Sequence, residues 1–302
     1  MDKETLSGIL LSRYGIRTSS LRFLREGGGT SWLAEGDGTF FLKEVGPAFA
    51  GTARQSVSVM RYLEERGFPV PKTVLTADGD ALPVIRTAGE GRLLLVQEFI
   101  EGEEPDLEAR AEEVGVLTGR LHDLLQGFPG DLIPRGKAFF IGRYLDFLRR
   151  KAYPRLSAYE ELGETLWRRI EDQPRAVCHG DLHRGNLLET PDGRIVLLDF
   201  DTVCRAPAMF DVSVMCDMTD YFRLKQEDIA AAEAVYRGFL SGYENVRRLT
   251  PAEKGSFFDW VAIRHFQLQA TILEIHGIDC VDEAFIDRQL GWLTDWRRLT
   301  AE

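Results

Sequence analysis

Two acidic residues and an amide stand close together in the second half of the chain. Residues 179–188 read HGDLHRGNLL and residues 197–201 read LLDFD, which places Asp181, Asn186 and Asp199 in order. Carboxylate and amide oxygens are ligands that Mg²⁺ prefers, and phosphate oxygens often complete its coordination shell. A further carboxylate can accept the proton of an attacking hydroxyl. The pattern therefore predicts metal-assisted phosphoryl transfer.

The residues around these three groups predict how the chain presents them. Two glycines within 178–186 disfavour a helix, which predicts a loop there. The sequence Pro-Asp-Gly at 191–193 is a turn signal between two apolar runs, so 187–199 is predicted to be a β-hairpin. Such a hairpin can bring the two acids and the amide together. The spacing Asp-x-x-x-x-Asn, with a later Asp-Phe, is that of a kinase catalytic loop.

The elements that must position this loop change character along the chain. The first third is strand-like, apart from a helical pattern over 49–67, and the remainder is mostly helical. The strand-like runs are 21–45, KTVLT (72–76), ALPVIRT (81–87) and RLLLVQEFI (92–100), and the helical segments are 108–125, 137–173, 206–245 and 251–297. The change at 98–105 has no flexible linker, so we expect two packed lobes with a cleft.

Composition limits the class of protein and its partners. Lys and Arg number 37 and Asp and Glu 48, so the net charge of the 302 residues is −11, which disfavours nucleic acid and anionic membranes as partners. The four cysteines contain no CxxC pair, and no apolar run approaches the ~18 residues of a membrane span. We therefore expect a reduced, cytoplasmic protein, and the oligomeric state stays open.

The central motif carries a resemblance to a known family. HGDLHRGNLL followed by LLDFD is similar to the aminoglycoside phosphotransferase and choline kinase family, and EEVGVLTGRLHDL and APAMFDVSVM resemble two further family segments. The resemblance favours the bacterial branch that includes spore-coat-associated kinase-like proteins. It implies an α+β, two-lobe protein-kinase-like fold: an N-terminal nucleotide-binding lobe at 1–97, a hinge at 98–105 and a C-terminal catalytic and acceptor-binding lobe at 106–302. It also implies ATP and Mg²⁺ as cofactors and a small-molecule acceptor.

The family assigns roles to individual residues around the chemistry. Asp181 becomes the catalytic base or the acid that orients the hydroxyl, and Asn186 and Asp199 become the Mg²⁺ ligands. Asp201 supports the metal site, while Asp211 and His179 hold the catalytic loop.

The resemblance also implies a nucleotide site in the strand-rich part of the chain. Lys43 fits the strand lysine that contacts the phosphates, and a hinge around Glu98 and Ile100 reads the adenine. The residues implied for the phosphate-covering loop are Gly28, Gly29, Thr30 and Ser31. A Gly cluster between strands is more often only a turn, and Lys43 alone is typical of a solvated strand residue.

One residue expected for the family is missing. The phosphate-binding lysine is normally oriented by a Glu on the following helix, but no acid occurs between Glu44 and Glu64, and the expected place falls near Gln55 or Ser56. Because of this departure, a nucleotide-binding pseudokinase with a structural role is an alternative hypothesis. A Ser/Thr protein kinase is a further alternative. Zinc is disfavoured, because His179 and His183 would share one face only if this segment were a helix. The glycine at 180 disfavours a helix there.

The sequence does not identify the acceptor or decide between ATP and GTP. The acidic net charge favours a small hydroxyl-bearing molecule that also carries an amine. Acids and aromatic rings in the C-terminal helices could bind such a cation: they are Asp217, Asp220, Asp259 and Glu274, with Tyr221, Phe222, Phe258 and Trp260 beside them.

Overall fold

The computed structural model describes residues 1–26, 29–46, 49–87 and 90–300. The strands are β1 (Thr18–Glu26), β2 (Gly29–Gly36), β3 (Thr39–Val45), β4 (Val84–Thr87), β5 (Glu90–Glu98), β6 (Arg175–Cys178), β7 (Leu187–Glu189), β8 (Ile195–Leu197) and β9 (Cys204–Pro207). The helices are α1 (Lys3–Ile9), α2 (Ala50–Glu64), α3 (Leu107–Gln126), α4 (Arg143–Arg150), α5 (Leu156–Arg168), α6 (Met209–Cys216), α7 (Gln226–Tyr243), α8 (Pro251–Lys254), α9 (Phe257–His276) and α10 (Glu283–Thr300).

The chain divides into two units. The first unit consists of residues 1–105, 128–131 and 185–203, and the second consists of residues 106–127, 132–184 and 204–302. The first boundary lies after Pro105, and the predicted lobe and hinge bounds stay a prediction. The first unit also includes a segment from later in the chain, residues 185–203, which contains Asn186 and Asp199.

An antiparallel sheet forms the body of the first unit, with the strand order β1-β2-β3-β5-β4. Successive side chains of a strand point to opposite faces, and here the two faces differ. Leu42, Leu94 and Val96 belong to an apolar core that includes Leu6 and Leu10 of the N-terminal helical segment. The alternate positions on β3 and β5 point to the other face, so the pleat places Lys43 there.

One predicted strand is wrong. The run KTVLT at 72–76 makes only an isolated bridge, between Thr73 and Gln97. The chain turns instead, because the Thr76 backbone N–H donates to Asp80 O at 3.0 Å and the Thr76 hydroxyl accepts from Asp80 N at 2.9 Å. This local hydrogen bonding competes with a strand ladder.

The predicted hairpin is present as β7 and β8. Leu187 pairs with Leu197, and Gly193 in the connecting turn has φ +81°, a conformation that favours glycine. Leu197 N also donates to Pro69 O at 3.0 Å, which attaches the hairpin to the rest of the first unit.

Helices dominate the second unit, as the sequence predicts. Aromatic side chains fill much of its core, and Tyr144, Tyr159, Phe210, Trp260 and Phe266 are essentially inaccessible to solvent. The short ladder of β6 and β9 ends where the motif begins, because Cys178 is the last residue of β6. None of the helices among the described residues is both long and apolar enough to cross a membrane.

Candidate active site

A cavity of about 320 Å³ lies within the first unit, a volume at the lower end of the range for small-molecule sites. Its apolar lining is formed by Leu24, Phe41, Met60, Pro71, Leu95, Phe99, Ile100, Leu188 and Leu198. Its polar lining is formed by Arg25, Lys43, Ser56, Gln97, Glu98, Asn186, Asp199 and Asp201. The cavity therefore offers apolar surface for a flat group as well as charged groups for an ionic one.

Four of the charged groups that line the cavity form ion pairs with one another. The Lys43 ammonium donates a hydrogen bond to Asp201 Oδ2 and lies 3.6 Å from Asp199 Oδ1. Arg25 Nη2 lies 3.8 Å from Asp199 Oδ2, although 68% of its side chain is exposed. Lys43 is only 13% exposed, so it is the better shielded of these two cations.

Asp199 combines backbone strain with an unused ligand atom. Its φ is +55°, a left-handed conformation that is uncommon for residues other than glycine. Its Oδ1 is buried and accepts no hydrogen bond from the described residues. Leu198 N donates to Asn186 O at 2.9 Å, which ties the backbone beside Asp199 to that of Asn186. A hard cation with carboxylate and amide oxygen ligands fits this donor set.

The remaining predicted nucleotide residues fall into three groups. Glu98 and Ile100 line the cavity. Gly28 lies outside the described residues. Gly29, Thr30 and Ser31 belong to β2 and do not line the cavity, so their role in a phosphate-covering loop stays a prediction. A Cβ at Gly29 would lie 2.1 Å from Glu44 O, so strand packing already explains a glycine there.

Among the described residues, no acid of the helix that follows Lys43 pairs with this lysine. Ser56 of α2 is buried and lines the cavity, whereas the Gln55 amide donates to Asp131 O at 3.3 Å. Glu44, the neighbour of Lys43 on β3, is buried and accepts a hydrogen bond from Trp32 Nε1 at 2.7 Å. Asp201 is the carboxylate that bonds to the lysine, which sequence spacing alone did not predict.

In the second unit, the loop after β6 carries Asp181. Arg264 Nη2 of α9 donates to Asp181 Oδ1 at 2.9 Å, and His183 Nε2 lies 3.6 Å from Asp181 Oδ2. Burial by itself raises the pKa of Asp181, but hydrogen bonding to His183 and the charge of Arg264 outweigh it and lower the pKa to about 2. Asp181 is therefore ionised at neutral pH.

A buried carboxylate holds this loop in place. Asp211 accepts from His179 N at 2.6 Å and from Gly180 N at 2.9 Å, and its Oδ2 lies 3.0 Å from His122 Nε2. His122 Nδ1 in turn lies 2.8 Å from the Tyr243 hydroxyl. The role of Asp211 as a loop anchor agrees with what the resemblance implies.

Sequence reasoning missed two parts of this arrangement. Spacing assigns no role to His122 of α3, which links Asp211 to Tyr243. Arg264 was not singled out, since it lies 83 positions from Asp181 and no motif connects the two residues. His122 and Asp211 also lie near the Cys178 thiol, but the hydrogen bonds of all three groups favour a structural network over a metal site.

The four acids expected near an acceptor differ in their surroundings. Asp259 pairs with Arg169, Glu274 pairs with Arg143, and Asp220 caps its own turn by accepting from Phe222 N. Asp217 differs because its Oδ2 is buried and accepts no hydrogen bond of ordinary geometry from the described residues. Burial raises the pKa of Asp217, and hydrogen bonds from Thr219 partly oppose this effect.

The aromatic rings predicted beside these acids are mostly packed. Trp260 is completely buried, and Phe258 packs edge-on against Trp296 at 5.6 Å. Tyr221 stacks on His265 at 4.9 Å, while Phe222 is 68% exposed. Most of these rings therefore serve the fold, and Tyr221 is the one that adjoins Asp217 and Arg264.

Comparison with known proteins identifies a family to which the chain belongs and several proteins that are similar to it. The model of a family described as the phosphotransferase enzyme family matches residues 20–249. The homoserine kinase of Rhizobium meliloti is 28% identical over 210 residues, covering 65% of this chain and 60% of that protein. The homoserine kinase of Pseudomonas aeruginosa is 27% identical over 268 residues, covering 84% and 80%. The chain thus spans about three fifths of the Rhizobium protein and four fifths of the Pseudomonas protein.

Solved structures with similar folds have lower sequence identity. The amicoumacin kinase hAmiN, in complex with AMP-PNP and Ca²⁺, has a TM-score of 0.75 at 18% identity, covering 99% of this chain and 93% of that one. A microcompartment-associated aminopropanol kinase has a TM-score of 0.69 at 20% identity, covering 99% and 96%. The choline kinase LicA of Streptococcus pneumoniae has a TM-score of 0.65 at 16% identity, covering 99% and 98%. These matches confirm the predicted α+β kinase-like fold, whereas the spore-coat-associated branch stays a prediction.

Proposed function

Since the chain belongs to the phosphotransferase enzyme family, we propose that it is a cytoplasmic, ATP- and Mg²⁺-dependent kinase that phosphorylates a hydroxyl of a small, amine-bearing molecule. The observation that carries the proposal is the cavity of the first unit. There a shielded lysine, a strained carboxylate with an unused oxygen and an asparagine line one space of about 320 Å³. Apolar side chains line the same space.

The apolar lining suits the nucleotide base. Glu98 N already donates to Lys72 O at 2.9 Å and Phe99 N to Thr39 O at 2.9 Å. We therefore assign the hydrogen bond to adenine to the backbone N–H of Ile100, and the phosphate contact to Lys43.

Asn186 and Asp199 are the proposed metal ligands. When bound there, Mg²⁺ would neutralise phosphate charge during transfer. The cost of holding Asp199 in a left-handed conformation is then offset by a ligand interaction, which explains why the strained residue is an acid rather than a glycine.

Asp181 is the proposed group that receives the hydroxyl. The acceptor oxygen forms a bond to the γ-phosphorus, the bond between that phosphorus and the β–γ bridging oxygen breaks, and ADP leaves. The hydroxyl proton passes to the Asp181 carboxylate. Because its pKa is about 2, Asp181 is a weak base. Its main contribution is to orient the hydroxyl, with proton transfer late in the reaction, as a loose transition state permits.

The surroundings of Asp217 support an amine on the acceptor. An ammonium group could donate to its buried Oδ2, which accepts no hydrogen bond of ordinary geometry within the described part of the chain, and Tyr221 nearby presents an aromatic ring. Homoserine, aminopropanol and choline, named for the related kinases, each carry a hydroxyl and an amine or quaternary ammonium group. Asp217, Arg264 and Asp181 all belong to the second unit.

A thermal-shift panel with Mg²⁺ and AMP-PNP tests the proposal. The panel compares amino alcohols, hydroxy amino acids and aminoglycosides with neutral sugars and hydroxy acids, and compounds that raise the melting temperature are then assayed for ADP release. We expect amine-bearing hydroxyl compounds to bind and turn over, and Asp217→Asn to weaken their binding while leaving the AMP-PNP shift unchanged. Turnover confined to neutral or anionic acceptors would contradict the amine, and a chain that binds no nucleotide would contradict the whole proposal.

A further inference from the structure

Lys43, the proposed phosphate-binding lysine, is not paired with an acid of the following helix among the described residues. In kinases a Glu on the following helix pairs with that lysine and fixes its position. The described part of α2 contains one acid, Glu64, which lies near the end of the helix and accepts from Thr73 N at 3.4 Å. The α2 side chain that reaches the cavity one turn before Met60 is Ser56, which is uncharged and 2% exposed. The helix therefore cannot neutralise Lys43.

A different element supplies the charge. Asp201 follows β8 and accepts a hydrogen bond from the Lys43 ammonium, while Asp199 Oδ1 is farther away at 3.6 Å. Lys43 is 13% exposed, and a shielded ammonium without a partner is costly. The contact also fixes a side chain that otherwise has about 2 kcal/mol of rotamer entropy.

The two acids of LLDFD therefore have different contacts. Asp201 accepts the hydrogen bond of the Lys43 ammonium, and Asp199 Oδ1 accepts none from any residue that the structure describes. If Asp201 were absent, Asp199 would be the nearest carboxylate to Lys43, and the ammonium would compete with a cation for it.

We infer that Asp201 is the positioning residue for Lys43 and replaces the helix acid of other kinases. It acts through the lysine, holding the ammonium where the nucleotide phosphates bind. The inference rests on the proposed function, because it concerns the same nucleotide site.

The test measures nucleotide affinity by calorimetry, using ADP and AMP-PNP with Mg²⁺ and again with EDTA. We expect Asp201→Asn to weaken binding about tenfold in both conditions, as loss of a charge-assisted hydrogen bond predicts, and Asp201→Glu to restore most of it. Asp192→Asn, in the exposed hairpin turn of the same unit, is the matched control and should leave affinity unchanged. Near-ultraviolet circular dichroism checks that each variant is folded.

Two further variants separate a positioning role from a metal ligand. In a Lys43→Met background, Asp201→Asn should cause no further loss, because its effect passes through the lysine. Adding Ser56→Glu to Asp201→Asn should recover affinity, since residue 56 lines the same cavity.

Three results would overturn the inference. They are an Asp201→Asn loss confined to Mg²⁺, a loss of the same size in the Lys43→Met background, and unchanged affinity in Asp201→Asn. Each of these leaves the proposed kinase function standing. A wild-type chain that binds no nucleotide would overturn both.

Discussion

Asp211 and Asp199 are carboxylates of neighbouring sequence segments, but their surroundings are opposite. Asp211 is fully buried, and its two oxygens are engaged by two backbone N–H groups and a histidine. The Asp199 side chain is 31% exposed, its backbone is strained, and its Oδ1 accepts no hydrogen bond from the part of the chain that the structure describes. A satisfied buried acid holds structure, whereas a strained acid with a spare oxygen is suited to bind a ligand.

The same contrast separates the two units. In the second unit, the network of His122, Asp211 and Tyr243 is closed, so it can fix the loop that carries Asp181. In the first unit, the charges around Lys43 leave a ligand atom unused. We therefore expect substitutions in the closed network to reduce stability, and substitutions in the cavity to reduce binding.

Asp181→Asn should have the largest effect. We propose that Asp181 orients the acceptor hydroxyl, and the loop that carries it is held by the closed network. We therefore expect kcat to fall about 10³-fold with little change in nucleotide affinity. The measurement is ADP release with the best acceptor of the panel, alongside calorimetry with AMP-PNP. Turnover close to wild type would remove Asp181 from the mechanism.

Asp211→Asn should have the largest effect on stability. The amide cannot replace a carboxylate that accepts from two backbone donors, so the free energy of unfolding should fall by about 3–5 kcal/mol. Urea denaturation measures this change, and Asp199→Asn is the matched control. If the two variants unfold alike, the distinction between a closed network and an open one fails.

Asp199→Ala should reduce metal-dependent nucleotide binding and leave stability almost unchanged, which is the opposite of the effect expected for Asp211→Asn. We expect nucleotide affinity measured with Mg²⁺ to fall at least about tenfold more than affinity measured with EDTA, while the urea midpoint stays close to that of the wild type. Equal losses with and without the metal would count against a ligand role for Asp199.

Arg264→Met should change the pH dependence of turnover. We propose that Asp181 acts in its ionised form. Arg264 is one of three groups, with His183 and His179, that lower its pKa to about 2 against the effect of burial. Without the guanidinium the pKa rises, so the acidic limb of the kcat/KM profile should move to higher pH by about one unit. Arg264→Lys keeps the charge and is the control. A profile that does not move would show that Arg264 leaves the ionisation of Asp181 unaffected.

Arg25→Ala should have the smallest effect. Its side chain is largely exposed and lies 3.8 Å from Asp199, so we expect nucleotide affinity to change by only about twofold to threefold. Titration at low and high salt checks this expectation. A loss as large as that of Lys43→Met would give the cavity a second essential cation.

Much of the fold was predictable because local signals and tertiary structure agree. Pro-Asp-Gly predicted the β7–β8 turn, and helical periodicity predicted α3 and α9. The 72–76 run failed because side-chain hydrogen bonds of Thr76 favour a turn. The apolar pattern that predicts a strand contains no information about such a competing hydrogen bond.

The candidate site was predictable only where one motif contains it. Spacing predicts roles for Asp181, Asn186 and Asp199, and these roles stay predictions. The pairing of Lys43 with Asp201 joins positions 158 apart, so no spacing indicates it. The contact of Arg264 with Asp181 joins positions 83 apart. The strain at Asp199 is likewise a property of the folded backbone, since nothing in LLDFD indicates a positive φ. Tertiary packing determines such contacts, and the periodicity of apolar residues in the sequence does not indicate them.

The proposed reaction is transfer of the γ-phosphoryl group of ATP to the hydroxyl of a small molecule. Phosphorus NMR of the purified chain with Mg²⁺, ATP and the best acceptor of the panel tests it most directly, with Asp181→Asn run in parallel. We predict that a phosphomonoester resonance grows in step with ADP, that it requires the acceptor, and that the variant does not produce it at a comparable rate. Unchanged ATP with every acceptor, or release of inorganic phosphate alone, would contradict the claim.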